Sequence, residues 1–149
     1  MRFNYRLQKI LDLREQELEK VKTKFQKAAA EVRTIEEKIT KNRNDQLKTQ
    51  RELVTQSGLS SPQLYINRLK HLKNQLEMLE ENLVRAKEKL AIVRQEMLEA
   101  QQKTEALKKH KDKKKSEYDK EELLKEEKEL NEIALIMRRQ QQDNNGDFS

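Results

Sequence analysis

From Tyr65 to Leu107 the chain repeats a seam at alternating steps of four and three: Tyr65, Leu69, Leu72, Leu76, Leu79, Leu83, Ala86, Leu90, Val93, Met97, Ala100, Thr104 and Leu107. Most residues between these positions are charged or carry amides. A heptad seam sustained over about six repeats is the pattern of a coiled-coil helix. Its 3.5-residue period imposes left-handed supercoiling, because an undistorted helix would carry the stripe away from its partner. Such a seam demands a second helix to cover it.

The first third of the chain supplies that helix. Leu11, Arg14, Leu18, Val21, Phe25, Ala28, Val32, Ile35 and Ile39 keep the same three-four steps, and Phe3 and Leu7 extend them backward in a shifted phase. Past Ile39 the seam turns polar at Asn42, Gln46 and Thr49, then recovers at Leu53. Polar seam positions weaken pairing but restrict register. Asn4 is placed to cap the start of this helix. The strongest punctuation is Ser57-Gly58-Leu59-Ser60-Ser61-Pro62. Gly58 suits the left-handed conformation that ends a helix. Ser61 followed by Pro62 reads as an N-cap with proline at the first helical position. So short a connection returns the second helix antiparallel to the first.

The predicted fold is all-α: two long helices in an antiparallel coiled-coil hairpin within residues 1–142. Helix 1 runs over about 4–56, the turn over 57–61 and helix 2 over about 62–142; the polar residues 143–149 form a disordered tail. A turn centred near Leu59–Ser60 brings Ile39 near Leu79, Phe25 near Val93 and Met97, and Leu11 near Leu107. Helix 2 outlasts helix 1. After the lysines at 108, 109, 111, 113, 114 and 115, and Tyr118, a new apolar stripe follows at Leu123, Leu130, Ile133, Ala134 and Met137, with Leu124 and Ile136 beside it. Its i, i+3, i+4, i+7 spacing is a helix face made for burial, yet helix 1 has no residues left to bury it. The functional reading is a binding face for another protein; self-association or a fold-back onto the hairpin is the alternative.

Composition narrows the choice. The 149 residues are 40% charged and 34% hydrophobic, with two Gly, one Pro and no Trp, too lean for a compact core. No cysteine is present, so disulfides and thiolate chemistry are excluded. The opening residues lack an apolar signal core, and no stretch reaches the roughly 18 apolar residues of a membrane span. A cytoplasmic protein without direct membrane insertion is expected. The net charge of +6 comes from 33 basic and 27 acidic residues, a mixture that permits acidic partners without requiring them. The lysine run lacks the aromatic interleaving of a nucleic-acid site and is diluted by Glu105, Asp112, Glu117 and Asp119, so no nucleic-acid partner is expected. His71 and His110 lie far apart along one helix and cannot share a metal. Neither a phosphate loop nor a pocket to raise a carboxylate pKa is foreseen. The expectation is a non-enzyme with no catalytic, cofactor or metal residues, monomeric when alone because its seam is filled from within.

Three segments resemble the FliJ family of flagellar export proteins. These are Phe3-Asn4-Tyr5-Arg6-Leu7-Gln8-Lys9-Ile10-Leu11-Asp12-Leu13-Arg14-Glu15, Tyr65-Ile66-Asn67-Arg68-Leu69-Lys70-His71-Leu72, and Glu126-Glu127-Lys128-Glu129-Leu130-Asn131-Glu132-Ile133-Ala134, with Asn131 where the family commonly has Asp. The resemblance implies a component of the flagellar type III export apparatus, and with it bacterial motility and chemotaxis. It implies a coiled-coil stalk like that of rotary ATPases. Such a stalk would bind and stimulate the hexameric export ATPase, couple it to the transmembrane export gate, and bind export chaperones, at the membrane of the flagellar base. Combined with the stripe, it assigns Leu130, Ile133, Ala134, Met137, Arg138 and Arg139, with Phe3 and Leu7, to the ATPase ring. It assigns the region of Asn42, Asp45, Thr49, Leu72 and Leu79 to the gate. The competing readings are a generic coiled-coil spacer or dimerisation protein, and a basic helix for nucleic acid or lipid.

Overall fold

The computed structural model describes residues 2–56 and 62–146. It contains two helices, α1 (Gln8–Gln56) and α2 (Pro62–Gly146), of 49 and 85 residues. They pack against each other as an antiparallel hairpin with the second helix longer, and no strand occurs among the described residues. The expected turn at 57–61, including Gly58 and Ser61, lies outside the described residues, as do 147–149.

Composition explains both helices. Neither Gly nor Pro interrupts α1, and the only proline stands at the first position of α2, where a missing N–H removes no helical bond. Threonines on α1 do not compete with the helix but return their hydroxyls to the carbonyl four residues back. Thr23 bonds Glu19, Thr34 bonds Ala30 and Thr40 bonds Glu36, at 2.9–3.1 Å.

The start of α1 differs from the expectation. The helix begins at Gln8, not Asn4, and residues 2–5 have no regular structure. Asn4 is therefore not the cap. The Gln8 N–H donates instead to the Tyr5 carbonyl at 3.1 Å, and the Leu11 N–H to the Leu7 carbonyl at 3.0 Å. The far end differs too: α2 continues to Gly146, past the boundary near 142. Gln140, Gln141 and Gln142 are adequate helix formers, and the first residue suited to stop the helix is Gly146 itself.

Two compact units can be described separately: Arg14–Gln102, and Met1–Leu13 with Lys103–Ser149. In the first, the seam forms the core. Ala28, Val32, Ile39, Asn42, Thr49, Leu72, Ala86 and Val93 are buried, and the remaining seam positions are half-buried. Off-seam apolar residues such as Met78, Val84 and Ile92 stay exposed. Ion pairs Lys24–Glu96 (3.3 Å), Glu31–Lys89 (3.4 Å) and Arg43–Glu80 (3.7 Å) flank the seam. The Arg94 guanidinium lies 5.9 Å from the centre of the Phe25 ring, in the register that puts Phe25 beside Val93 and Met97. Pairs this exposed add little energy; the seam carries the stability. In the second unit, Leu11 and Thr104 are buried and Leu107 half-buried.

Candidate partner-binding surfaces

The apolar stripe near the end of α2 is uncovered. Every residue from Leu123 to Asn144 is exposed, including Leu130 (65%), Ile133 (49%) and Met137 (60%). Ala134, Arg138 and Arg139 share that exposure. Spacing places Leu130, Ile133, Ala134 and Met137 on one side of the helix. An apolar face open to water is unusual in a chain this polar.

Phe3 and Leu7, assigned to the same surface, are placed differently. Both are half-buried. The Phe3 ring leans on Tyr118, with centroids 5.5 Å apart. Tyr5, which sequence reasoning did not single out, is buried: its hydroxyl lies 2.6 Å from His110 Nδ1 and 3.4 Å from the Leu107 carbonyl oxygen. His110 is thus partnered by a residue 105 positions away, and no local signal could reveal that. Partial burial, then Glu122 and Asp119, push the Tyr118 hydroxyl above its ordinary value of 10.0.

The lysine run is largely a solvated face. Lys109, Lys113, Lys114 and Lys115 are exposed, and Lys114 pairs with Glu117 at 3.6 Å.

In the unit Arg14–Gln102, the residues assigned to the gate divide. Asn42 (5%), Thr49 (1%) and Leu72 (8%) are buried in the seam. Their side chains turn mostly into the seam, and Asn42 and Leu72 also border the groove described below. Asn42 Nδ2 donates to the Leu72 carbonyl at 2.9 Å, Gln46 Nε2 to Asn42 Oδ1 at 2.7 Å, and Thr49 Oγ1 to the Asp45 carbonyl at 2.8 Å. The polar seam is satisfied, not merely tolerated. Asp45 and Leu79 remain half-buried. With Asn42, Leu72, Lys38, Lys41, Gln75, Met78 and Asn82 they line an open groove of about 470 Å³. Sequence reasoning missed Met78, because a lone off-seam methionine carries no periodic signal.

Among the described residues no group of His, Cys, Asp or Glu could hold a metal ion, and no helix is long and apolar enough to cross a membrane. What the surfaces offer is recognition: an apolar helix face edged by arginines, and a groove of mixed charge.

The family described as flagellar FliJ protein matches residues 3–143. No curated protein and no solved structure matches the chain.

Proposed function

Since the chain belongs to the FliJ family and so has a role associated with flagellar protein export, we propose that it is the coiled-coil stalk of the export apparatus. In this reading it binds and stimulates the hexameric export ATPase and hydrolyses nothing itself. The observation that carries the reading is the bare face of α2 at Leu130, Ile133, Ala134 and Met137. Burying such side chains against a ring contributes about 1.5–3 kcal/mol for each large residue fully covered. Arg138 and Arg139 beside them suit carboxylates on the ring. Phe3 and Leu7 contribute less, being half-buried already.

Asp45 and Leu79, with the groove they share with Asn42 and Leu72, contact the transmembrane export gate; Thr49 supports that surface from within. Export chaperones are further partners. The protein works in the cytoplasm at the flagellar base, peripheral to the membrane, in the service of motility and chemotaxis.

The test replaces Ile133 and Met137 together with Asp and measures hydrolysis by the cognate export ATPase. Both positions are exposed, so helicity by circular dichroism should be unchanged while stimulation is lost, by about tenfold or more for two buried anchors. Full stimulation by the folded variant removes the assignment. An ATPase that neither responds to nor co-migrates with the unaltered chain points to the spacer reading.

A further inference from the structure

The residues before α1 do something the helical seam does not require. An extended chain advances about 3.3 Å per residue, against 1.5 Å in a helix, so a short non-helical segment covers a long stretch of its neighbour. Tyr5 meets Leu107 and His110, and Phe3, two residues earlier, already reaches Tyr118. Arg2, Asn4 and Arg6 point to solvent. The attachment to α2 runs through side chains. Outside the helices, the backbone bonds among the described residues are the local ones from Gln8 to Tyr5 and from Leu11 to Leu7. A space of about 570 Å³ remains beside the segment, bordered by Tyr5, His110, Lys114, Tyr118 and Glu121, so its rings are not enclosed on all sides.

We propose that residues 2–7 form a releasable strap, latched by Tyr5 on His110, which opens while both helices stay folded and uncovers α2 between Leu107 and Tyr118. The anchors include the buried Tyr5 ring, half-buried Phe3 and Leu7, two ring contacts and one short hydroxyl bond. Contacts of this kind hold a segment closed over open by about hundreds- to thousands-fold, below the ratio for a whole folded chain. The Tyr5 hydroxyl and His110 Nδ1 share one hydrogen bond, its direction set by the imidazole tautomer. The same tyrosine supplies the carbonyl that receives the Gln8 N–H, so the strap ends where α1 begins. Opening lengthens the uncovered part of α2 towards its lysine-rich stretch, and this holds whatever partner the protein has.

The chain contains no tryptophan, so Phe3→Trp gives a fluorescent reporter on the strap in the full-length protein. In that background, Tyr5→Phe removes only the hydroxyl. Acrylamide quenching of the introduced indole should rise about twofold or more, with helicity unchanged. His110→Leu should do the same, and the double change should add nothing, as expected of partners in one latch. Unchanged quenching in either single variant overturns the latch. Helicity falling together with the rise in quenching overturns independent opening, because the segment would then be part of the cooperative fold.

Discussion

Val93 and Ile92 are neighbours in sequence and opposites in environment. Val93 is 2% exposed and Ile92 63%. Nothing in their chemistry separates them; the heptad phase alone decides which one is covered. Val93→Ala should therefore lower stability by about 1–3 kcal/mol through lost burial and an unfilled space, while Ile92→Ala should stay within about 0.5 kcal/mol. Urea unfolding followed by circular dichroism measures both, and equal effects would mean that the seam is not the core. At this scale the sequence was legible wherever periodicity spoke. It was silent for Tyr5 and His110, whose bond joins residues 105 apart and leaves no trace in local spacing.

The elements show where the pattern reaches and where it stops. Every seam position named between Tyr65 and Leu107 is buried or half-buried, because a 3.5-residue stripe has one low-energy way to meet another. Helix ends are set by single capping bonds, which the stripe does not encode. Hence α1 starts at Gln8, where the Tyr5 carbonyl is held in place, and α2 runs on to Gly146. The gate-assigned residues were read from their region, and their inward direction follows only from the phase of the seam. Asn42 is the clearest case, since it occupies a seam position and bonds the Leu72 carbonyl across the two helices. Asn42→Leu should raise the unfolding midpoint, because an apolar pair replaces a buried amide. It should also loosen register, since the bond that selects one alignment is gone. Cysteine pairs introduced across the seam at the native register and shifted by one heptad would report this. Crosslinking confined to the native pair, as in the unaltered chain, would show that Asn42 does not select the alignment.

At the scale of the whole molecule, burial lies at the seam positions and is scarce in the last stretch of α2. Residues 123–144 are exposed throughout and contribute almost no burial to the fold. Ending the chain at Glu122 should leave the unfolding free energy of the hairpin, measured in urea, within about 0.5 kcal/mol of the original. ATPase stimulation should disappear in the same protein. A large fall in that free energy would mean that the bare face is covered within the folded chain after all. The exposure of this face could be read from the sequence, as an apolar stripe with no counterpart in helix 1. The partner itself could not, because a stripe of this kind fits many grooves; family membership supplies that context.

Both strands of the coil belong to one polypeptide, with only residues 57–61 between them. Two separate chains with such a seam would come apart on dilution. Joined by a short link, each strand meets the other at an effective concentration of roughly millimolar or above, however scarce the protein is. The two helices therefore cover each other's seam within one chain, and dilution does not separate them.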